Sequence, residues 1–175
     1  TMEILNREGT LKYFGCPAEE GGAAKVFMVR DGVFDGVDAI LRWHPANTNW
    51  VSMAKSLAIN SAKFTFHGIS AHAGINPHLG RSGLDAAILM DVGANYLREH
   101  VIDEVRIHSV ITNGGDAPNI VPPEGEIWYY VRAPRRKDVD EVYNRLVKIA
   151  EGAAMMTETS LDIKLLNELD KTNRR

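Results

Sequence analysis

The sequence has little of what marks several common classes of protein. Its 175 residues include one cysteine, Cys16, so an internal disulfide is excluded and a reducing compartment, the cytoplasm, is expected. No apolar run approaches the ~18 residues that a membrane-spanning helix needs. The 20 Lys and Arg residues are outnumbered by 23 acidic ones, and the formal net charge is -3. Neither a nucleic-acid surface nor a polybasic membrane anchor is therefore expected.

The first part of the chain has the pattern of a parallel α/β sheet. Residues 10–15 predict a short strand, 21–32 a helix that Gly32 ends, and 37–44 an apolar strand buried on both faces. Strand, helix and strand in this order form one βαβ step of an α/β domain. Residues 45–60 have no strong period and predict a connection.

Two adjacent acids, Glu19 and Glu20, follow the first predicted strand, and His44 ends the next. The carboxyl ends of parallel strands share one edge of a sheet, where α/β proteins bind ligands. One carboxylate could hold a metal ion while its neighbour acts as a base, and the ion would offset their mutual repulsion. His44 could be a second ligand, since imidazole and carboxylate together suit zinc or manganese. A solvated acidic pair on a surface turn is the alternative that the residues alone leave open.

The rest of the chain predicts a different architecture, in which four strands and two helices alternate in the order β-α-β-β-α-β. The predicted strands are 63–68, 104–112, 125–134 and 160–166, and the predicted helices are 82–100 and 138–156. This order is typical of an α+β ferredoxin-like unit, with a four-stranded antiparallel sheet and both helices on one face. Phe64 and Phe66 should share the buried face.

Capping signals accompany both predicted helices. Ser82 with Asp85, and Asp138 with Glu141, have the spacing of capping pairs. The second helix also has one apolar stripe that should face the sheet. Its members are Val139, Val142, Tyr143, Leu146, Ala150 and Ala153.

Two long polar loops, 68–83 and 112–125, contain further candidate residues. His72 lies in the first loop, and Arg132 lies near the end of the strand that follows the second. An arginine there could bind a carboxylate through two parallel hydrogen bonds, although a surface ion pair is the alternative. The remaining histidines are interpreted as solvated; they are His67, His78, His100 and His108.

Five motifs in this order carry a family resemblance: PAEEGG, WH, GISAHAG with GRSGLDA, NGGDAPNIVP and YYVRAP. Together they resemble the M20 metallopeptidase and amidohydrolase family, with the closest match in its amidohydrolase branch. The resemblance covers nearly the whole chain. It implies a catalytic α/β domain with two divalent metal ions, zinc or manganese, interrupted by a ferredoxin-like lid that also dimerises.

The resemblance implies a role for each residue that matches a family motif. Glu19 matches the general base that activates the attacking water, Glu20 matches a metal ligand, and His44 matches the ligand on the following strand.

On the lid, His72 matches a histidine that reaches into the partner subunit's site and stabilises the oxyanion. Asn119 and Arg132 match residues that bind the terminal carboxylate of the substrate. We expect two lids to pair as a homodimer, with helix 138–156 and the edge strand near it as the candidate contact.

The chain departs from the family in its set of metal ligands. The family needs ligands further upstream and downstream, but no histidine precedes His44 and none follows His108. We therefore expect an internal section of a longer protein that is inactive by itself. Its parts are a catalytic-domain portion with linker at 1–60, the ferredoxin-like lid at 61–170 and the start of a return linker at 171–175.

The parent protein is then expected to be a metal-dependent hydrolase that cuts an amide bond to an amino acid, with an aryl-amide of glutamate as a candidate. Its partners would be the small-molecule amide, a second copy of the chain and a second, related subunit. The rival hypothesis is a non-catalytic ferredoxin-like module that dimerises or binds a small ligand. Such a module would have no reason to place two acids and a histidine at adjacent strand ends.

Overall fold

A computed structural model of the chain describes residues 8–18, 24–49, 51 and 57–166. The chain divides into two compact units. The first unit is Thr1–Asn49 with Lys171–Arg175, and the second is Trp50–Asp170.

Among the described residues of the first unit, the regular secondary structure is one short helix, α1. It spans Ala24–Arg30, inside the predicted helix 21–32. A turn follows in which Gly32 has a φ of 72°. Only glycine adopts this conformation without a steric penalty, and this explains why the helix ends there.

The two strands predicted in this unit are not formed in the described residues, so the prediction of a βαβ step is wrong for this part of the chain. Residues 10–15 and 37–44 carry no strand hydrogen bonds, and Leu11, Leu41 and Trp43 are more than four-fifths exposed. A strand needs a neighbouring strand whose backbone N–H and C=O groups pair with its own. None of the described residues of this unit forms such a neighbouring strand.

The second unit contains one antiparallel sheet and two long helices. Its strands are β1 (Ala58–His67), β2 (Arg106–Asn113), β3 (Glu124–Ala133) and β4 (Ser160–Leu165), and its helices are α2 (Gly83–Leu97) and α3 (Arg136–Thr157). The order across the sheet is β2-β3-β1-β4, and all neighbours are antiparallel. The β-α-β-β-α-β order predicted from the sequence is therefore found. Among the described residues, no helix has the length and apolarity that a membrane crossing needs.

The core lies between one face of this sheet and the two helices. Along β3 the residues alternate strictly between buried and half-buried, as expected for a strand with one covered face. Phe64 and Phe66 are fully buried on that face, as predicted. The buried residues of α3 are Val139, Val142, Leu146, Ala150, Ala153 and Ala154. The predicted stripe therefore faces the sheet, although Tyr143 is only half-buried.

A polar contact at the edge of this core fixes α2 on the sheet. The hydroxyl groups of Tyr129 and Ser109 both donate to Asp91 Oδ1, each at 2.7 Å. Burial of the ring, together with the hydrogen bond to Asp91, raises the pKa of Tyr129. Tyr129 therefore remains a neutral donor, and the helix cannot slide along the strands without breaking these bonds.

The capping predictions have different outcomes for the two helices. Ser82 is the N-cap of α2, and its Oγ accepts from the Asp85 N–H at 3.0 Å, as predicted. The Asp138/Glu141 prediction is wrong, because α3 begins at Arg136. The Arg136 side chain donates to Ile59 O and Asn60 Oδ1 of β1, at 3.2 and 2.6 Å. These bonds anchor the first turn to the sheet and explain the earlier start.

Candidate functional site

Two loops lie side by side at one end of the sheet. The first, 68–82, joins β1 to α2, and the second, 114–123, joins β2 to β3; we call them the paired loops. Backbone hydrogen bonds join them from Gly68 N to Pro123 O (2.7 Å), from Val121 N to Ala71 O (2.9 Å) and from Ala73 N to Asn119 O (2.9 Å). The two loops therefore form one connected surface rather than two independent ones.

Close backbone contacts at the base of the paired loops require glycine. A Cβ atom on Gly68 would lie 1.9 Å from Arg81 O. One on Gly83 would lie 2.5 Å from Gly125 N, and one on Gly125 would lie 2.3 Å from Gly83 O. These neighbours are backbone atoms that cannot rotate away, so any side chain would force the loops apart.

Polar side-chain contacts fix the same base. His67 Nε2 lies 3.1 Å from Asp162 Oδ2, and its Nδ1 lies 3.4 Å from Glu124 Oε2. The Arg81 Nε donates to Glu158 Oε2 at 2.8 Å. His67 is therefore not merely solvated, as its loop-side position suggested, because it links β1 to both neighbouring strands.

His72 lies exposed on the paired loops with its ring held in one orientation. Its backbone bridges to Ile120, and its Nδ1 accepts from the Gly74 N–H at 3.2 Å. A backbone N–H can only donate, so the neutral imidazole carries its proton on Nε2. The Nε2–H is thus a hydrogen-bond donor, as the stabilisation of an oxyanion requires.

Asn119 lies beside His72 on the second of the paired loops. Its carbonyl accepts from the Ala73 N–H at 2.9 Å, and its side chain is exposed. The structure therefore brings Asn119 and His72 onto one surface, although they are far apart in the sequence.

Arg132 lies at the opposite end of the sheet. It is eight residues along β3 from Glu124, which adjoins the paired loops. This separation corresponds to about 27 Å at the rise of an antiparallel strand. Its Nε is buried without a hydrogen-bond partner, and its Cζ lies 5.7 Å from the centroid of the Tyr130 ring. Within one copy of this unit, Arg132 and His72 therefore do not share a site.

The residues predicted for the metal centre belong to the first unit. Glu19 and Glu20 lie outside the described residues. His44 is exposed, with its Nδ1 2.8 Å from Pro45 O. A carbonyl can only accept, so Nδ1 donates and Nε2 keeps the lone pair that a metal ligand needs. In the described ranges, no group of three His, Cys, Asp or Glu side chains could hold a metal ion.

Sequence reasoning missed two aromatic side chains that lie beside Arg132 on the sheet face opposite the helices. Trp128 and Tyr130, like Arg132, alternate with the buried residues of β3 and are half-buried. The two aromatic rings meet edge to face, with centroids 5.3 Å apart. The signal was present in IWYYVRA, because aromatic residues occupy both phases of the alternation.

Comparison with known proteins identifies the class to which the second unit belongs. The family model of the peptidase dimerisation domain matches residues 58–155, which include most of that unit. The chain belongs to this family, the dimerisation domain of M20 peptidases.

Among curated relatives, one of the subunits of p-aminobenzoyl-glutamate hydrolase of Escherichia coli (strain K12) is 50% identical over 164 residues, which are 93% of this chain and 34% of the relative. Xaa-Arg dipeptidase of Mus musculus is 32% identical over 150 residues, or 86% of this chain and 35% of the relative. The chain thus spans about a third of the length of these relatives.

A solved structure shares the fold of part of this chain. The crystal structure of the aminobenzoyl-glutamate utilization protein from Klebsiella pneumoniae superposes with a TM-score of 0.57 at 25% identity. The match covers 63% of this chain and 28% of that one.

Proposed function

We propose that the chain is a section of a metal-dependent hydrolase that cuts amide bonds to amino acids. Residues 1–60 would belong to its catalytic domain, 61–170 would form a ferredoxin-like lid, and 171–175 would begin the return to the catalytic domain. The strand order β2-β3-β1-β4 with intervening helices supports the ferredoxin-like assignment. The family membership and the similarity to two hydrolases support the activity.

The observation that carries this proposal is the state of His72. A loop histidine on a purely structural domain has no reason to present a fixed Nε2–H donor beside an exposed amide side chain. Here the Gly74 N–H holds the tautomer, and Asn119 lies on the adjoining loop. Such a preorganised donor is what an acyl-transfer site needs where negative charge develops.

The proposed substrate is an aryl-amide of glutamate. The Escherichia coli relative that is 50% identical to this chain is named for the hydrolysis of p-aminobenzoyl-glutamate. The similarity extends over 93% of this chain. Arg132 would bind a carboxylate of the glutamate, because its guanidinium can donate two parallel hydrogen bonds.

The residues of this chain fit a role in holding divalent metal ions, zinc or manganese. Glu20 would supply a carboxylate oxygen, and His44 would supply Nε2, whose lone pair is left free by the Nδ1 contact to Pro45 O. Two such ions would supply Lewis-acid activation of a water molecule and of the amide carbonyl. The remaining ligands would come from parts of the protein outside this section.

The chain's own residues would then move one proton and stabilise one charge. Glu19 takes a proton from the attacking water and delivers it to the leaving amine nitrogen, as a carboxylate general base can do. His72 donates its Nε2–H to the oxygen on which negative charge develops, and Asn119 and Arg132 orient the substrate through its carboxylate.

A homodimer through the lid is part of this proposal, but the exposed surface favours a different contact from helix 138–156. The outer face of α3 is charged, with Lys137, Glu141, Lys148 and Glu151 exposed. By contrast, α2 exposes Ile88, Val92 and Tyr96 at successive four-residue steps, beside the edge strand β2. We therefore propose that α2 and β2 of two copies pair about a two-fold axis. A related subunit with the same face could substitute for the second copy.

The test is hydrolysis of 4-aminobenzoyl-glutamate by the full-length protein, with and without a chelator. The expected result is chelator-sensitive turnover that Glu19→Gln and His72→Ala each lower by about 10²–10³-fold. His78→Ala, in the same loop, is the matched control and should stay near wild type. If the wild-type protein does not hydrolyse the substrate even after it is loaded with metal, the proposal is wrong.

A further inference from the structure

The sheet face opposite the helices carries a regular grid of side chains at the end away from the paired loops. The strand register defines three rows across β2, β3 and β1. The rows are Val110–Trp128–Lys63, His108–Tyr130–Ser61 and Arg106–Arg132–Ile59. The grid therefore has two aromatic residues on its middle strand, Trp128 and Tyr130, and two arginines in the end row beside them; the Lys63 ammonium, in the other end row, pairs with Glu126.

The aromatic part of the grid is held in place by its neighbours. Trp128 Nε1 donates to Ser61 Oγ at 2.8 Å, and the Lys63 Nζ lies 5.8 Å from the Trp128 ring centroid. The Tyr130 ring meets the indole at an interplanar angle of 90°. Two rings fixed at right angles form a corner that could receive a third ring edge to face.

A shallow cavity occupies this corner. It has a volume of about 180 Å³, and its lining is almost entirely apolar. A cavity of roughly 150 Å³ is enough to bind benzene. The size therefore suits one aromatic ring. The lining residues are His108, Ser109, Val110, Trp128 and Tyr130.

The cationic side of the grid lacks a bound carboxylate in the described part of the chain. Arg132 Nε is buried without a hydrogen-bond partner. Arg106 lies opposite it and donates to the backbone carbonyls of Asp103 and Val105. Two guanidinium groups side by side repel each other, and an anion between them would remove that cost.

The spacing between the aromatic residues and Arg132 matches the dimensions of an aroyl amino acid. Tyr130 and Arg132 are two residues apart on one face, or roughly 7 Å at the rise of a strand. In an aroyl amino acid, about four covalent bonds, or roughly 5 Å, separate the carboxylate carbon from the ring. One such molecule can therefore place its carboxylate on Arg132 and its ring against Tyr130.

We propose that this grid binds the aroyl group of the substrate, with the ring in the corner of Trp128 and Tyr130 and the carboxylate of the amino acid on Arg132. This inference rests on the proposed function and deepens it, because it makes Tyr130 and Trp128 the residues that select an aromatic acyl group. A segment of the protein surface packed on the same face is the competing occupant, and the tests below distinguish the two.

The first test compares two substrates on the full-length enzyme, 4-aminobenzoyl-glutamate and N-acetyl-glutamate. Tyr130→Leu should lower kcat/KM for the aroyl substrate about tenfold, mainly through KM, and should leave the acetyl substrate within about twofold. Tyr130→Phe should retain the preference. Lys148→Gln, on the outer face of α3, is a charge control for Arg132→Gln, which should weaken both substrates. An equal loss for both substrates in Tyr130→Leu, or no loss for either, would overturn the inference.

The second test measures binding without turnover. Calorimetry with 4-aminobenzoate and cyclohexanecarboxylate should show at least about tenfold tighter binding of the aromatic probe to wild type. Val110→Phe adds a ring to the cavity and removes no contact, so it should abolish that difference even if Tyr130→Leu fails to fold. Absence of probe binding to wild type would mean that another surface covers the face, and the inference would be wrong. If the aromatic probe binds through Tyr130 but no amide is cleaved, the proposed function is wrong, and the corner of Trp128 and Tyr130 remains a site for an aromatic ring.

Discussion

The imidazole of His72 is oriented by a single backbone donor. The Gly74 N–H bonds to Nδ1, and no other described group contacts the ring by a hydrogen bond. The carbonyl of His72 accepts from the N–H groups of Ile75 and Asn76, at 3.1 and 3.0 Å, so the turn itself is closed independently of the ring. The tautomer and the fold of the loop can therefore be separated by mutation.

We predict that Gly74→Pro allows both tautomers of neutral His72, because proline has no N–H to donate. Gly74→Ala is the control: it keeps the donor, and its Cβ would meet the ring at an ordinary 3.5 Å. Nitrogen chemical shifts of the ring, measured where the imidazole is neutral, distinguish the tautomers. The free-energy preference for the Nε2–H tautomer should fall by about 1 kcal/mol in the proline variant. An unchanged tautomer in the proline variant would show that another group holds the ring.

Glu126 is the centre of a polar cluster on the open face of the sheet. It accepts from Lys63 at 2.7 Å, from Thr112 at 2.6 Å and from Thr65 at 3.3 Å. The bond from the Lys63 ammonium, and then that from Thr112, holds the pKa of Glu126 below its ordinary value of 4.5. Since the folded state has the lower pKa, this stabilisation is complete above the unfolded-state pKa and is lost as the pH falls through the folded-state pKa.

We predict that Glu126→Gln flattens the acid side of the stability profile. At about pH 6 the variant should be less stable than wild type by roughly 1 kcal/mol, and the gap should narrow as the pH falls through the folded-state pKa of Glu126. Urea unfolding at a series of pH values measures this. Glu141→Gln, on the exposed face of α3, should leave the profile unchanged. A gap that stays constant with pH would assign the loss to packing rather than to charge.

At the scale of the elements, close packing of backbone on backbone sets the position of the paired loops. The Arg81 carbonyl lies where a Cβ of Gly68 would be. Gly152 in α3 has no atom within 4 Å of such a position. The same substitution should therefore have opposite effects at the two sites.

We predict that Gly68→Ala destabilises the fold by roughly 2–3 kcal/mol, because backbone must move to admit the methyl group. Gly152→Ala should stabilise it by about 0.5–1 kcal/mol, since alanine loses less backbone entropy in a helix. Chemical unfolding of both variants gives the two signs in one experiment. Equal and small effects would mean that the loops are not packed as described.

The sequence predicted well those helices and strands that other residues of this chain cover. Phe64, Phe66 and the apolar stripe of α3 show their period because the sheet and helices cover each other. The strand predicted at 37–44 had an equally apolar pattern, but no described residue pairs with it. Periodicity reports the tendency to be buried, and it does not supply the neighbour.

The site was predictable only in part, for a related reason. The type and loop position of His72 could be read from the sequence. Its proximity to Asn119 could not, because the hydrogen bonds between the paired loops join segments distant in sequence. The separation of Arg132 from both depends on the direction of β3 after the loop, which no local pattern encodes.

At the scale of the whole molecule, α2 exposes an apolar surface, formed by Ile88, Val92 and Tyr96, to which we assigned the proposed dimer contact. We predict that Val92→Arg in the full-length protein converts a dimer into a monomer, because a charge would be buried in an apolar contact. Asn144→Arg places the same residue on the exposed face of α3 and should leave the dimer intact. Sedimentation velocity of the two variants is the measurement. If Asn144→Arg breaks the dimer and Val92→Arg does not, the contact lies on α3 instead.

The placement of His72 and Arg132 at opposite ends of one rigid sheet has a consequence for rate laws. A ligand the size of two residues spans roughly 7 Å, far less than the length of β3. No such ligand can touch both side chains of one copy, so under the proposed roles each working site needs two chains. Turnover should then vary with the square of enzyme concentration when the protein is diluted below its association range, and linearly above it. Progress curves over a dilution series would reveal this change of kinetic order.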